Sequence, residues 1–255
     1  MSRPISIFQF LLIPFYILYK LAFGFVFFFL LALFYPLYYF LIYIKKDFAT
    51  TFVVKRFFAL LMQVFLLIPN RTEISEDELP EPPYIICPNH TSYLDIILTY
   101  RIIPDYFVFM GKHELLSWPL FNIFFKSGMD IAVNRASPVG ASRAMSKARE
   151  MIEQGHSIAI FPEGTIPPHV PQLKRFKSGA FKLAIETGVP IVPVTFHTNY
   201  KILSDPAEVT SRALPGIASI TIHKPIETKG KTQQDLISLR DEVYDIIDAS
   251  LKGKA

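Results

Sequence analysis

An uncharged stretch of 24 residues, Leu21–Ile44, restricts the fold of this chain more than any other feature. As an α-helix it would be about 36 Å long, enough to cross the hydrocarbon core of a bilayer. Lys45 and Lys46 follow at once, and the positive-inside tendency puts this end and the following residues on the cytoplasmic side, at the inner membrane in a bacterium. Pro14 and Pro36 allow a second arrangement, a kinked or split pair of helices seated in one leaflet. Hydrophobic length does not decide between them.

The residues after this stretch extend the predicted anchor. The apolar segment 51–69 is interrupted by Lys55 and other polar residues, which predicts an amphipathic helix at the membrane surface with its basic side toward the headgroups. Residues 70–83 are acidic and contain proline, a composition that predicts a hinge. We therefore expect membrane-associated helices over residues 1–69, a hinge over 70–83 and a catalytic domain over 84–255.

The charge and cysteine content limit the partners and the compartment. The net charge is +4 and the isoelectric point is near 9.0, but no run of basic residues or nucleic-acid motif is present. An anionic bilayer and phosphate-bearing substrates fit this charge better than nucleic acid does. The lone Cys87 excludes an internal disulfide. Cys87 lies in an apolar run, which predicts a buried strand residue, while a thiol nucleophile three residues before His90 is the alternative.

Beyond residue 84, predicted strands alternate with predicted helices. The strands lie at 84–87, 130–133, 157–161, 189–195 and 217–223, and the helices lie after His90, at 141–154, at 179–187 and from about 232 onward. This alternation predicts an α/β fold, with a mainly parallel sheet flanked by helices, behind an N-terminal helical membrane anchor.

His90 and Asp95 form the first candidate site. His90 follows a predicted strand and precedes a helix, and open α/β sheets bind ligands at the carboxyl ends of their strands. Asp95, five residues on, could accept the Nδ1 proton and leave Nε2 as a base. Such a pair suits deprotonation of an alcohol that attacks a thioester. The spacing alone is weak, because a helix-capping histidine with a solvated aspartate gives the same pattern.

The pentapeptide Phe161–Thr165 is the second candidate. It ends a predicted strand, and glycine at position 164 lets backbone amides approach an anion closely. Glu163 could bind a glycerol hydroxyl or brace the loop. An ordinary turn at the end of a strand is the alternative.

Cations supply the third candidate. Lys174, Arg175 and Lys177 precede a predicted helix, where a phosphate could bind at the helix N-terminus. Arg135 follows another strand and could grip a phosphate with both guanidinium nitrogens. A solvated basic patch and a surface ion pair are the alternatives.

Four blocks occur in a fixed order: His90–Asp95, Arg135, Phe161–Thr165 and Val189–Val194. This order and spacing resemble the 1-acylglycerol-3-phosphate acyltransferase family over about residues 84–225. The segment Gly111–Leu115 is similar to a lysine-containing segment of that family.

The resemblance implies transfer of a fatty acyl group from acyl carrier protein or coenzyme A to the free hydroxyl of a lysophospholipid, giving phosphatidate from lysophosphatidate. It implies no metal and no cofactor beyond the thioester co-substrate. His90 and Asp95 would be the catalytic pair. The expected acceptor-binding residues are Arg135, Glu163, Gly164, Thr165, Lys112, Lys174 and Arg175.

Ile166 departs from the family pattern, which usually has an arginine on the acceptor phosphate at this position. Either Lys174, Arg175 or Lys112 takes over the phosphate, or the acceptor carries another headgroup, as an N-acylated amino-acid lipid would. A third possibility is a non-catalytic protein that binds lipid at the membrane.

Overall fold

The structure, a computed structural model, describes residues 7–75, 79–204 and 208–254. Residues 1–6 of the predicted anchor, 76–78 of the predicted hinge, and 205–207 and 255 of the predicted catalytic domain lie outside the described residues.

Two apolar helices begin the described chain. α1 (Ile7–Tyr39) runs through both of its prolines without a break and continues as a π-helical segment, Phe40–Lys45. Lys46 then adopts a left-handed conformation with φ of 55°, and the Asp47 side chain caps α2 (Phe48–Phe65). Both helical segments are long and apolar enough to cross a membrane, judged by length and composition. The N-terminal helices thus fit membrane association.

α1 packs on the rest of the molecule at points far apart along its length. Lys20 Nζ donates to Ser211 Oγ at 2.8 Å. About five turns later, the ring of Tyr38 packs edge-on against Phe124, with centroids 4.9 Å apart. The helix therefore lies along the following domain and does not stand away from it.

Seven strands of the described chain form one sheet. Neighbouring strands in the sheet are parallel except β6 and β7, which are antiparallel, so the predicted mainly parallel α/β sheet is confirmed. The strand order is β1-β7-β6-β2-β5-β3-β4. The strands are β1 (Asn70–Ile74), β2 (Ile85–Pro88), β3 (Phe107–Lys112), β4 (Ile131–Val133), β5 (Ser157–Ala159), β6 (Ile191–Phe196) and β7 (Ala218–Ile222).

Helices cover both faces of the sheet. The remaining α-helices are α3 (Leu94–Ile102), α4 (Ile123–Lys126), α5 (Pro138–Glu153), α6 (Gly179–Thr187), α7 (Asn199–Ile202) and α8 (Leu236–Gly253), with 3₁₀ turns at His113–Ser117 and Gln233–Asp235. Successive side chains of a strand point to opposite faces. Accordingly, Ile86 packs in the apolar cluster of α1, α2 and α3, while Ile85 and Cys87 pack in that of α5, α6 and α8.

Two strands were absent from the sequence prediction. β1 lies inside the segment expected to be a hinge, and it carries the polar sequence Asn-Arg-Thr-Glu-Ile because it is an edge strand with its side chains largely exposed. β3 is buried and apolar, but its short run gave no alternation that would separate a strand from a helix.

Lys55 does not face lipid headgroups, so that part of the amphipathic-helix prediction is wrong. Its side chain is buried, and Nζ donates to Asp130 Oδ2 at 2.7 Å. Nζ also lies over the rings of Tyr100 and Phe124, 4.5 and 4.4 Å from their centroids. Lys55, which interrupts the apolar sequence of α2, therefore forms a buried ion pair. This ion pair links α2 to Asp130, the residue before β4.

Candidate active site

The predicted site residues meet at one edge of the sheet. Because β2, β5, β3 and β4 are parallel neighbours in that order, their carboxyl ends lie side by side. His90 follows β2, the pentapeptide Phe161–Thr165 follows β5, Lys112 ends β3 and Arg135 follows β4. At roughly 4.8 Å between strands, β3 and β4 lie about 10 and 14 Å from β2. The pentapeptide is therefore the nearest of these elements to His90.

His90 and Asp95 are in direct contact. Nδ1 of His90 lies 3.0 Å from Oδ2 of Asp95. Since a buried carboxylate beside Nδ1 accepts a hydrogen bond from Nδ1–H, Nε2 is the ring nitrogen left without a proton in the neutral imidazole. The side chain of His90 is 11% exposed, whereas that of Asp95 has no exposure. This geometry is that of a histidine base oriented by a carboxylate.

Asp95 receives several further hydrogen bonds, because it lies in the first turn of α3 and turns back over the loop before it. The backbone N–H groups of Thr91 and Ser92 donate to Oδ2 at 2.5 and 2.8 Å. Oδ1 accepts from Thr91 Oγ1 at 3.2 Å and from Asn199 Nδ2 at 2.7 Å. These donors compensate for burying the carboxylate and hold it in one orientation.

Phe161 and Glu163 hold the other side of His90. The Phe161 and His90 rings stack with centroids 4.0 Å apart and planes 11° from parallel. Glu163 Oε1 accepts from the His90 backbone N–H at 2.7 Å, and Oε2 accepts from that of Lys174 at 2.8 Å. Burial raises the pKa of Glu163 to about 7, against the effect of these two bonds. Glu163 therefore braces the loop and orients the backbone of His90.

The raised pKa of Glu163 predicts a loss of stability with rising pH. Below about pH 4.5 the carboxyl is protonated in both folded and unfolded chains, and its contribution to stability is fully present. As the pH rises to about 7 the unfolded chain ionises first, which costs the fold roughly 3 kcal/mol. Glu163→Gln should flatten this part of the melting-temperature profile. The exposed Glu153→Gln should keep the wild-type slope, and an equal slope in both variants would contradict the assignment.

The missing side chain of Gly164 leaves room for Lys177 beside the pentapeptide. Its φ is +74°, and a Cβ at this position would lie 2.9 Å from Lys177 Nζ. The Lys177 backbone N–H donates to the Pro162 carbonyl at 2.8 Å, which fixes the start of that side chain beside the loop. Lys177 is exposed, and its ammonium has no hydrogen bond or ion pair within the described chain. The Lys177 ammonium therefore lies beside Gly164, the residue that follows Glu163, and no described residue neutralises its charge. Glu163 in turn contacts the backbone of His90.

The other predicted cations have different surroundings. Lys174 contributes its backbone N–H to Glu163, while its side chain is exposed. Arg175 lines a depression with Arg240 and Tyr244 on α8. Lys112 at the end of β3 and Arg135 after the edge strand β4 are exposed, and Thr165 is half-buried.

Cys87 does not offer a nucleophile. Its side chain is fully buried, and burial raises the pKa of the thiol well above its usual value. Within residues 7–75, 79–204 and 208–254, no group of three or more His, Cys, Asp or Glu side chains could hold a metal ion.

The sequence did not single out Asn199 or the ring of Phe161. Asn199 is 104 residues from Asp95, and no local pattern links residues so far apart. Lys177 appeared only as one of three basic residues before α6. The Gly164 position gives a partial signal, because a glycine at a strand end indicates that something approaches the backbone closely.

The sequence model of the Acyltransferase family matches residues 70–197, half of the chain. A mouse 1-acyl-sn-glycerol-3-phosphate acyltransferase alpha is 31% identical over 165 residues, covering 64% of this chain and 57% of the relative. The 1-acyl-sn-glycerol-3-phosphate acyltransferase of Saccharomyces cerevisiae is 28% identical over 212 residues, covering 82% and 68%. The chain thus spans somewhat more than half the length of these relatives.

A solved structure shares the fold. The 1-acyl-sn-glycerophosphate (LPA) acyltransferase PlsC from Thermotoga maritima superimposes with a TM-score of 0.75 at 23% identity, over 93% of this chain and 95% of the other. The matched family segment runs from β1 through β6 and includes His90, Asp95, Arg135 and the pentapeptide. The resemblance expected from the ordered blocks is confirmed, and the chain belongs to the Acyltransferase family.

Proposed function

We propose that this protein transfers a fatty acyl group from an acyl thioester to the free hydroxyl of lysophosphatidate, giving phosphatidate for phospholipid synthesis. The observation that carries the proposal is the buried His90–Asp95 pair at the carboxyl edge of the sheet, with Nδ1 and Oδ2 3.0 Å apart. The names of the mouse and yeast relatives support lysophosphatidate as the acceptor. Acyl carrier protein and coenzyme A are the two donor classes.

The mechanism uses His90 twice. Nε2 takes the proton of the acceptor hydroxyl as its oxygen attacks the thioester carbonyl carbon, and a C–O bond forms. The tetrahedral intermediate collapses, the C–S bond breaks, and the departing sulfur receives the proton from Nε2. Asp95 stabilises the positive charge that His90 carries between these steps.

The assay that tests this function offers two donors and three acceptors. Purified protein in detergent or vesicles receives acyl-coenzyme A or acyl carrier protein thioester, with lysophosphatidate, monoacylglycerol or an N-acylated amino acid as acceptor. We expect free thiol to appear in step with phosphatidate when lysophosphatidate is present. Preference for the N-acylated amino acid would establish the other acceptor class, and lysolipid binding without thiol release would indicate a lipid-binding protein.

Lys177 is the residue that we propose for the acceptor phosphate. The phosphate of lysophosphatidate lies only a few bonds from its free hydroxyl, so a cation should lie close to His90. Ile166 cannot supply one. The Lys177 side chain passes close to the backbone of Gly164, and its ammonium has no ion-pair partner within the described chain. Lys112 ends β3, two places away from β2 in the sheet, and Arg135 follows β4, three places away.

Lys177→Gln should raise the KM for lysophosphatidate roughly 10- to 100-fold, because a charge-assisted contact contributes about 1.5–3 kcal/mol. Turnover of monoacylglycerol, which lacks the phosphate, should change little. Lys182→Gln is the matched control, since this lysine is exposed on α6 and pairs with Glu186 instead. An unchanged KM for lysophosphatidate would remove Lys177 from the acceptor site while leaving acyl transfer itself intact.

For the membrane, we propose that α1 and α2 sit in one leaflet on the cytoplasmic side. α1 contacts the catalytic domain through Lys20 and again through Tyr38. A helix that crossed the bilayer and left the domain behind could not make both contacts. Its exposed side chains are large and apolar, with Phe25 70% and Leu33 62% exposed. Tags fused before residue 1 and after residue 255 should be cleaved by protease from the same side of sealed vesicles. Cleavage from opposite sides would instead indicate a span.

A further inference from the structure

We propose that Asn199 is a positioning residue of this active site, which holds Asp95 so that Asp95 in turn orients His90; the inference rests on the proposed function. Asn199 is fully buried at the start of α7. Its Nδ2 donates to Asp95 Oδ1 at 2.7 Å, while Asp95 Oδ2 lies 3.0 Å from His90 Nδ1. The three side chains form one chain of hydrogen bonds that ends on the reacting imidazole.

The orientation of the Asn199 amide follows from its neighbour. An ionised carboxylate only accepts hydrogen bonds, so the amide nitrogen must face Asp95, and a flipped amide would set two oxygens against each other. This orientation leaves Asn199 Oδ1 buried without a partner within the described chain. An unpartnered buried oxygen destabilises a fold. An apolar side chain of similar size would avoid that cost, so the contact with Asp95 is what accounts for an asparagine here.

Other bonds already hold the His90 loop on the segment from β6 to α7. The Phe196 backbone N–H donates to Asn89 Oδ1 at 2.7 Å, and Ser92 Oγ donates to the Leu203 carbonyl at 2.6 Å. These two bonds fix the loop on either side of His90. The separate contribution of Asn199 is therefore to aim the Asp95 carboxylate and to place the positive end of an amide dipole against it.

Two substitutions distinguish this positioning role from a role in stabilising the fold alone. Asn199→Ala should lower kcat roughly 10- to 100-fold, the size typical when a partner that orients an active-site group is lost. The acid limb of its pH–rate profile should move to higher pH, since a carboxylate with one donor fewer binds the imidazolium more strongly. Asn199→Asp places two carboxylates in contact, which must share a proton. That variant should keep activity at low pH and lose it on the alkaline side.

Thr198→Ala is the matched control. Thr198 lies in the same turn, donates to the Ile217 carbonyl and accepts from the Ser219 N–H, both at 2.8 Å, without contacting Asp95. Thr198→Ala should lower the melting temperature and leave kcat and both the acid and the alkaline limb of the pH–rate profile unchanged. The proposal would be overturned if Asn199→Ala kept the wild-type kcat and pH–rate profile. It would also be overturned if Thr198→Ala showed the same loss of kcat and the same shift of the acid limb.

A spectroscopic measurement keeps the inference testable if no acceptor is turned over. The proton on His90 Nδ1 should give a resonance that moves downfield in Asn199→Ala, because its acceptor becomes stronger. Among the described residues, Asp95 and Glu163 are the titratable groups hydrogen-bonded to His90, and Glu163 accepts from its backbone N–H. A wild-type protein inactive with every acceptor would refute the proposed function alone. An unmoved resonance in Asn199→Ala would refute the positioning role alone.

Discussion

His90→Ala should lower acyl transfer by roughly 10²–10⁴-fold, the usual contribution of a general base. The reason is geometric: Nε2 is the free nitrogen of a ring whose other nitrogen is engaged by Asp95, and within the described chain no other imidazole contacts Asp95 or stacks on Phe161. Thiol release from the acyl thioester with lysophosphatidate present measures the effect. Binding of lysophosphatidate should persist, since Lys177 and Gly164 are unchanged.

His169→Ala is the control for the loss of a histidine. His169 is exposed in the loop after the pentapeptide, and its removal should leave turnover and melting temperature near the wild-type values. Because the His90 ring stacks on Phe161, the His90 variant should melt at a slightly lower temperature. Turnover near the wild-type rate in a folded His90→Ala protein would disprove the general-base role.

The sequence predicted the sheet where burial makes a strand apolar. Val189–Thr195 and Ile217–His223 fall on β6 and β7 within two residues at either end. β6 contributes to both apolar clusters and β7 to one of them, so both strands are rich in buried apolar residues. Helix ends were predicted where turn chemistry is explicit, as at Gly188, whose φ of +66° closes α6. The start of α5 at Pro138 was missed, although Ser137 caps it and proline suits a first helical turn.

What the sequence could not supply was the pairing of distant residues. Lys55 looked like a surface charge because nothing near it in the chain is acidic on the same helix face, and its partner Asp130 is 75 residues away. The candidate site shows the same division. The local pair His90–Asp95 was predicted from its spacing, whereas Asn199 and the approach of Lys177 to Gly164 depend on the folded chain.

Asp95→Asn should reduce kcat by a similar factor, roughly 10²–10⁴-fold, while leaving the protein folded. The new amide has two orientations. If its nitrogen takes the place of Oδ2, it meets the N–H groups of Thr91 and Ser92, donor against donor. If its oxygen takes that place, those bonds and the contact with His90 Nδ1 survive, so the second orientation should prevail. The tautomer is then kept, but the negative charge that stabilises the imidazolium is gone.

Asn199 explains why this variant should fold. In the second orientation the new nitrogen points at Asn199, whose amide can turn so that its otherwise unpartnered Oδ1 accepts the hydrogen bond. The melting temperature of Asp95→Asn should therefore stay close to that of the wild type, and adding Asn199→Ala should lower it by removing the acceptor. Asp105→Asn, at a carboxylate that accepts only from Tyr84 Oη among the described side chains, serves as the control with normal turnover. A folded Asp95→Asn protein with wild-type kcat would mean that the carboxylate charge takes no part in proton transfer, and His90 would then act alone.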